Sequence, residues 1–292
     1  MKSATAIPVS VVSDVMTLVK ARLSFLVLIT TLVGFLLGWS GPLNWAMLLA
    51  TLTGTALCAG GAAALNQWWE RDLDARMKRT RDRPLPAGRI QPVDALLFGL
   101  FVCVTGIAIL GLFTNIRAAF LAFATIAIYI LVYTPMKRWS SLNTLVGAVP
   151  GALPPLIGWV AARGHYDLEG CLLFAVLWFW QMPHFLAIAW MYREDYEQAG
   201  YVMITSNDPV GGATSRQALL YAFCLLMVTL LPAIIGFNSP LAFFVALALG
   251  TAFCGFAMNF FVRRDRGSAR SLFFSSILYL PLLLGVLLAT AR

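Results

Sequence analysis

The sequence has 292 residues, of which 60% are hydrophobic and only 12% are charged, and its mean hydropathy is +0.81. A soluble domain carries about 25% charged residues, so this composition excludes a soluble enzyme and indicates an integral membrane protein. The net charge is +8. We expect the lipid bilayer, and no nucleic acid, among the partners of this chain.

Nine apolar segments are long enough to cross a bilayer as an α-helix, which takes about 20 mostly apolar residues. They cover residues 23–40, 45–65, 93–113, 117–135, 142–161, 170–191, 217–236, 241–261 and 271–290. Because they leave little chain for a soluble domain, the sequence predicts an all-α fold in which residues 1–292 form one membrane domain of nine transmembrane helices. Residues 1–20 are expected to form a short leader that includes an amphipathic surface helix.

The basic residues are unequally divided between the two sides of these segments. Eighteen of the 21 Lys and Arg residues lie near the N-terminus or in loops on the same side as the N-terminus, and only Arg117, Arg163 and Arg292 lie on the other. By the positive-inside rule, the N-terminus and the long loops are cytoplasmic, and the C-terminus is outside. The sequence therefore predicts a protein of the cytoplasmic (inner) membrane.

Two cytoplasmic loops, residues 67–92 and 192–216, are longer than the others. They follow the second and the sixth segments and so recur four helices apart. This spacing favours two four-helix halves followed by a ninth helix, on hydropathy alone.

The first long loop opens with NQWWERDLDARMKRTRDRPL, residues 66–85, directly after an apolar segment. Asn66, Glu70 and Asp74 are spaced i, i+4 and i+8, which places them within an arc of about 80° if the helix continues past the membrane. Such a stripe of oxygens suits one or two Mg²⁺ ions whose coordination is completed by phosphate oxygens. The bases that follow could meet the remaining phosphate charge.

A second acidic group stands in the other long loop, where Glu194, Asp195 and Glu197 follow Arg193. Two facing carboxylate clusters would hold a metal–diphosphate bridge between the halves. The alternative for both loops is a solvated, amphipathic helix extension with i,i+4 ion pairs. That alternative is weakest for Asn66, because polar groups near membrane depth usually have a function.

The first motif, N-x-x-x-[D/E]-x-x-x-D followed by R-T-x-x-R-P-L, resembles the first signature of the intramembrane UbiA-type prenyltransferases. Three further stretches resemble the haem O synthase branch of that superfamily: YTPMKRWSSLNTLVGAVPGALPPLIGW at 133–159, QMPHFLAIAW at 181–190 and YREDYEQAGYVM at 192–203. The chain departs from the superfamily pattern in two places. Position 70 is Glu where Asp is usual, and the single Asp195 replaces a paired D-x-x-x-D.

This resemblance implies transfer of a farnesyl group from farnesyl diphosphate to a vinyl group of haem B, with addition of water, to give haem O. It implies Mg²⁺ held by Asn66, Glu70, Asp74 and Asp195, which are the expected catalytic residues. The cationic side chains expected to bind the diphosphate are Arg79, Arg83, Lys137, Arg138 and Arg193. The product would pass to a haem A synthase or a terminal oxidase.

The same mechanism requires a central cavity, dry and apolar, that keeps water from an allylic cation. The aromatic side chains of the sixth segment are candidates to line it: Trp178, Phe179, Trp180, Phe185 and Trp190. His184 in the same segment is a candidate haem-binding residue, either as an iron ligand or in contact with the porphyrin. A structural, hydrogen-bonded histidine is the alternative.

Two other functions fit parts of the same pattern. A prenyltransferase acting on a quinone-type or chlorophyll-type acceptor would share the scaffold and the first motif. A secondary transporter would share the intramembrane Asn66 and the two halves, although carriers concentrate polar residues near the bilayer midplane rather than at helix ends.

Overall fold

The structure is a computed structural model that describes residues 10–291. Within that range the chain is almost wholly helical and contains no strand, only a single bridge between Asn238 and Ala291. The helices are α1 (Val11–Leu18), α2 (Ala21–Gly38), α3 (Trp45–Asp74), α4 (Pro92–Phe113), α5 (Ile116–Met136), α6 (Asn143–Arg163), α7 (Leu168–Met191), α8 (Arg193–Gln198), α9 (Gly212–Ile234), α10 (Pro240–Arg263) and α11 (Arg266–Thr290).

All of these except α1 and α8 are long and apolar enough to cross a membrane, which makes nine spans within residues 10–291. This confirms the predicted architecture of a polytopic, all-α membrane protein. Several spans begin where an Asn or Asp side chain accepts a hydrogen bond from the first helical turn: Asn44 for α3, Asn115 for α5 and Asp167 for α7. Such caps satisfy backbone N–H groups that the helix itself leaves free.

The spans pack in two groups. Helices α2 to α6 form a ring of five, in which α3 and α4 have the most extensive contact and α6 closes the ring onto α2. Helices α7, α9, α10 and α11 form a ring of four, and α6 joins the two rings by packing against α7. The grouping is therefore five and four, and not the expected two four-helix halves followed by a ninth helix, because α6, the fifth span, packs on α2 and α5 while α11, the ninth, packs on α7 and α10.

The C-terminal half of α2, called its outer half because the sequence predicts that it lies on the outer side of the membrane, packs directly against α6. Gly34 approaches the carbonyl of Pro155, and Gly158 approaches the carbonyl of Thr31, so closely that a Cβ atom at either glycine would overlap the facing backbone. Small residues of this kind let membrane helices approach backbone to backbone. The inner half of α2 is different, since no residue from 21 to 29 is buried.

Hydrogen bonds hold helix α1 against the first long loop and α3. Asp14 is buried and accepts two hydrogen bonds of 3.0 Å from Arg89. The amide of Gln67 donates to the carbonyls of Thr17 and Leu18 at the end of α1. The predicted leader, residues 1–20, thus contains a helix at Val11–Leu18, and its first nine residues lie outside the described range.

The segment from 193 to 207, called the cover segment below, comprises α8 and a short 3₁₀ turn at Ile204–Asn207. It is held over the C-terminal end of α5 and the N-terminal end of α6 by two hydrogen bonds. The Val202 amide donates to the Lys137 carbonyl at 2.8 Å, and the Asn143 side chain donates to the Val202 carbonyl at 2.7 Å. A loop from one ring of helices therefore closes the mouth of the other ring.

Candidate active site

Helix α3 continues to Asp74, well past its apolar stretch, and this extension places three oxygen-bearing side chains on one face. Asn66, Glu70 and Asp74 are all buried, with 0%, 4% and 1% of their surface exposed. They line the same cavity, as their spacing predicted. Asp72, between them in sequence, points away and leaves 80% of its side chain exposed.

A second stripe faces them from α5. Tyr129, Tyr133 and Lys137 are also spaced i, i+4 and i+8, and a π-helical stretch at Ile128–Tyr133 lies within this helix. The two tyrosine rings stack with centroids 5.5 Å apart, and the Lys137 ammonium lies 4.5 Å from the centre of the Tyr133 ring. Such π-turns widen a helix locally and are frequent at functional sites.

The cavity between these stripes has a volume of about 190 Å³ and lies at the same end of the helices as the first long loop. It is smaller than the roughly 300–1,000 Å³ of most small-molecule sites, and its walls are mainly polar. The remaining lining residues come from the start of α2, the first long loop, α6 and the cover segment: Lys20, Met77, Arg79, Thr80, Arg83, Asn143, Tyr196, Tyr201 and Met203. This chamber suits a small, highly charged head group.

Each of the three α3 oxygens contacts one basic side chain. Lys20 donates to the Asn66 amide oxygen at 2.7 Å. Lys137 donates to Glu70 at 2.7 Å, and Arg83 donates to Asp74 at 2.6 Å. These are short, charge-assisted contacts that involve buried groups, so each is stronger than an exposed pair would be.

The orientation of the Asn66 amide follows from its neighbour Thr134. The Thr134 hydroxyl donates to the Tyr129 carbonyl, so it must accept from the Asn66 nitrogen, 3.1 Å away. The Asn66 oxygen is thereby turned toward Lys20 and the cavity. This arrangement presents an acceptor, rather than a donor, to any cation in the chamber.

Lys20 lies between α1 and α2 in a left-handed conformation, with φ of 47°, which is uncommon for a residue with a side chain. Burial, together with the positive charges of Arg83 and Lys137, lowers the pKa of Lys20 to about 7. An anion arriving in the chamber would relieve this repulsion. Lys20 is therefore placed to respond to a negatively charged ligand.

The described residues contain no cluster of three His, Cys, Asp or Glu side chains that could hold a metal ion alone. The α3 stripe offers two carboxylates and one amide, all hard oxygen donors, and each already attracts a cationic group. Mg²⁺ needs only one or two such side chains when phosphate oxygens supply the rest. The residues therefore fit a Mg²⁺–diphosphate pair better than a free metal ion.

The predicted basic residues divide into two groups. Arg79, Arg83 and Lys137 line the cavity, and the Arg79 guanidinium also lies 5.7 Å from the ring centre of Tyr192. Arg138 is exposed, and Arg193 lies 4.4 Å from the Trp190 ring instead, so neither lines the chamber.

Asp195, predicted as a metal ligand, does not line the cavity either. Its neighbour Tyr196 faces the chamber, and consecutive residues of a helix such as α8 point about 100° apart. The acidic residues of the second loop are thus not part of the cavity lining, to which the cover segment contributes aromatic and apolar side chains instead: Tyr196, Tyr201 and Met203.

The aromatic side chains expected from the sixth span lie outside this polar cavity. None of the five aromatic residues predicted in α7 lines it. Trp178 and Phe179 pack on Tyr221 of α9, and Trp190 packs on Phe260 of α10. The reason is that α7 belongs to the ring of four helices. His184 is likewise outside the chamber and contacts Ser276 of α11.

Several site residues were not predicted. Tyr129 and Tyr133 could have been found from their spacing with Lys137, which repeats the pattern of the α3 stripe. Lys20 gave no such signal, because a single lysine beside a first membrane span has the same appearance as a topology signal.

The fold and the chamber together are those of an intramembrane enzyme with a polar site, lined by several basic side chains, at the mouth of its helices. The chain belongs to the UbiA prenyltransferase family, whose model matches residues 27–279.

Individual relatives and solved structures show which members of this family the chain is similar to. The chain is 42% identical over 284 residues to the protoheme IX farnesyltransferase of Solibacter usitatus, covering 94% of this chain and 97% of that one. Two solved structures share the fold at 14% identity. One, of a digeranylgeranylglyceryl phosphate synthase, has a TM-score of 0.83 and covers 96% of this chain and 98% of its own. The other, a UbiA homologue from Archaeoglobus fulgidus bound to DMAPP and Mg²⁺, has a TM-score of 0.70, with 94% and 99% covered.

Proposed function

We propose that this protein transfers the farnesyl group of farnesyl diphosphate to a vinyl group of haem B, with addition of water, to give haem O. The observation that carries the proposal is the polar chamber, in which three α3 oxygens and three basic side chains meet at a helix mouth. The acceptor is inferred from the relatives, which are named protoheme IX farnesyltransferases.

The first task of the site is to hold a diphosphate. Lys20, Arg79, Arg83 and Lys137 surround one small volume, so their positive charges converge on a single anion. Arg83 and Arg79 present planar forks suited to phosphate oxygens, and the two lysines act as point charges. Three of these cations are held by Asn66, Glu70 and Asp74, and they are therefore already positioned for the anion.

The second task is to make diphosphate a good leaving group. Asn66, Glu70 and Asp74 are the residues that would hold Mg²⁺, and Asp195 is not included because it does not line the chamber. Bound there, Mg²⁺ would neutralise charge on the diphosphate and so favour its departure. The basic side chains contribute in the same direction by stabilising the negative charge that develops on the departing oxygen.

When the C–O bond of the prenyl diphosphate breaks, the electron pair leaves with diphosphate and an allylic cation remains. The stacked rings of Tyr129 and Tyr133 offer their electron-rich faces beside the chamber and would stabilise this cation. The terminal carbon of the haem vinyl group then donates its π electrons to form the new C–C bond. Water adds to the resulting carbocation on the adjacent carbon and loses a proton.

The cover segment keeps bulk water from the chamber while this occurs. Tyr201 and Met203 line the cavity from that segment, which is fastened by the hydrogen bonds between Val202, Lys137 and Asn143. Water that enters early would give farnesol rather than haem O, so closing the mouth protects the cation.

The chamber lies on the side of the membrane domain that carries most of the Lys and Arg residues. By the positive-inside rule, we therefore place it at the cytoplasmic face of the inner membrane, with the C-terminus outside. Haem O would leave toward a haem A synthase. Haem O is an amphipathic, membrane-soluble product, which suits transfer within the bilayer.

Product analysis tests the proposal directly. The purified protein in lipid nanodiscs is incubated with haem B, farnesyl diphosphate and Mg²⁺, and the porphyrins are separated by mass. The expected product is haem B increased by one farnesyl group and one hydroxyl group, since the added water loses a proton. Parallel reactions replace haem B with an aromatic acid of the quinone type or omit Mg²⁺. Prenylation of the aromatic acid alone, or no diphosphate release at all, would contradict the proposal.

A further inference from the structure

The chain contains only two histidines, and of these His184 lies within a membrane-spanning helix. Its imidazole ring is held between two aromatic rings. The Trp180 ring stacks on it with centroids 5.1 Å apart, and the Phe273 ring of α11 lies 4.9 Å from it at 30°. These contacts leave the edge of the imidazole, rather than its faces, available for a ligand.

The hydrogen bonds identify the tautomer of His184. Its Nδ1 atom lies 2.7 Å from the Ser276 hydroxyl oxygen. That hydroxyl donates its hydrogen to the Phe273 carbonyl at 2.6 Å, so it accepts from His184, and Nδ1 must carry the proton. The Trp180 indole N–H donates to the Ser276 carbonyl at 2.8 Å and fixes the same segment of α11.

The remaining nitrogen, Nε2, therefore presents a lone pair. It makes no hydrogen bond to any part of residues 10–291, and it is not among the fully buried atoms that lack a partner, so it retains accessible surface. A neutral imidazole that donates from one nitrogen to a second residue and offers the other is the arrangement in which histidine binds metals. A purely structural histidine would leave this acceptor without any role.

The inner half of α2, which neighbours the α7–α11 seam, is loosely packed. Helix α2 touches both α7 and α11, yet none of its residues from 21 to 29 is buried, so nothing packs tightly on its inner half. His184 and Ser276 both lie in the cytoplasmic halves of their helices, on the side of the membrane where the chamber opens. The imidazole edge is thus at the inner leaflet, where an amphipathic porphyrin would dissolve.

We propose that His184 Nε2 is an axial ligand to the iron of a porphyrin held at the α7–α11 seam, beside the inner half of α2. Ser276 is a positioning residue, which fixes the imidazole tautomer through its hydroxyl group. This inference rests on the proposed function for the presence of haem, and it adds the residue that holds the iron and therefore orients the vinyl groups.

The test is spectroscopic and uses the full chain in nanodiscs with haem B. The bound ferrous haem is expected to show an iron–imidazole stretching band in its resonance Raman spectrum. His184→Ala should remove the band and weaken haem binding at least tenfold, and added imidazole should restore it. His165→Ala is the matched control, because His165 is the only other histidine and lies in an exposed outer loop. Ser276→Ala should keep the band but shift its frequency.

The outcomes separate the two proposals. An unchanged iron–imidazole band in His184→Ala, or its loss in His165→Ala, overturns the inference even if haem O is still made. The inference is also overturned if the wild-type protein makes haem O while its bound ferrous haem shows no iron–imidazole band. Folding of the variants is checked by the thermal shift that farnesyl diphosphate and Mg²⁺ produce, and His184→Gln, of similar size, serves if the alanine variant does not fold. Failure of the wild type to make haem O at all refutes the function instead.

Discussion

The Lys20 ammonium and the Asn66 amide oxygen lie 2.7 Å apart, although 46 residues separate them in sequence. The contact joins the beginning of the first membrane span to the polar end of the second. It places a cation with a pKa near 7 at an oxygen that is a candidate metal ligand. Because basic side chains and oxygen-bearing side chains are in direct contact in the chamber, the effects of replacing one of them can be predicted.

Replacing Asp74 by Asn should lower kcat by at least about 100-fold, the scale seen when one group that stabilises transition-state charge is removed. The substitution preserves shape but removes the charge that holds Arg83 at 2.6 Å. Turnover is measured as diphosphate release in nanodiscs. Asp72→Asn is the matched control on the same helix, since its exposed carboxylate lies outside the chamber. Full activity in Asp74→Asn would remove Asp74 from the site.

Replacing Lys20 by Met should weaken farnesyl diphosphate binding about tenfold or more, which corresponds to about 1.4 kcal/mol. The ammonium is one of four cations that converge on the cavity, and methionine keeps the length of the side chain without the charge. Binding is measured by titration calorimetry with a non-hydrolysable analogue. Arg22→Met, two residues along and exposed, should bind as the wild type does. Equal affinities for both variants would show that Lys20 does not bind the diphosphate and acts only as a topology signal.

Gly147→Ala should raise the KM for farnesyl diphosphate. A Cβ atom at this position of α6 would overlap the Tyr133 ring and push it from Tyr129 and Lys137. Overpacking of this kind costs about 1–3 kcal/mol where the ring cannot move, and disturbs the chamber where it can. Gly255→Ala in α10 is the control, because a Cβ there meets nothing within 4 Å. Identical kinetics for the two variants would contradict the assigned position of Tyr133.

The buried pair of Glu70 and Lys137 should show strong thermodynamic coupling. Breaking such a pair by removing one partner costs about 3–5 kcal/mol, because a charge is left without compensation. Glu70→Gln and Lys137→Met are therefore each expected to destabilise the fold, and the double variant to lose less than the sum of the two. Unfolding free energies measured in mixed micelles supply the cycle. Strict additivity would mean that the two groups do not interact.

Asp208 should make stability depend on pH. Although burial alone would raise the pKa of Asp208, hydrogen bonds from the Thr214 amide and hydroxyl, at 2.7 and 2.8 Å, hold it below its ordinary value. Because the folded pKa lies below the unfolded one, the stabilisation is present above about pH 4 and is lost as the pH falls through the folded pKa.

Asp208→Asn should consequently be less stable than the wild type near pH 7, by about 0.5–2 kcal/mol as for other helix caps, and the difference should shrink toward pH 3. Thermal unfolding across that range measures it. Asp94→Asn, an exposed residue in the first turn of α4, is the control. A difference that stays constant with pH would show that Asp208 does not titrate with folding.

The nine spans could be predicted because the lipid requires each spanning segment to be apolar, whichever helices that segment packs against. The stripe of Asn66, Glu70 and Asp74 could be predicted for a related reason, since helical periodicity is local. What could not be read from the sequence is which loop closes which ring. The cover segment lies over the chamber through contacts such as that of Val202 with Lys137, which join residues 65 positions apart.

Asp195 illustrates where helical periodicity fails to predict a site residue. Its acidic neighbours resembled a second metal cluster, but a rotation of one residue on a short helix decides whether Asp195 or Tyr196 faces the cavity. Periodicity assigns a face only when a long helix averages over several turns, as α3 does. A helix of six residues offers no such average, and its orientation depends on tertiary packing.

Helix α2 is anchored through its outer half, where Gly34 and Gly158 bring it against α6, while residues 21–29 are without tight packing. Acyl chains therefore cover this part of the helix wherever the porphyrin does not. Membrane thickness and fluidity then become determinants of catalysis, and a preparation stripped of lipid should lose turnover before it loses its helices.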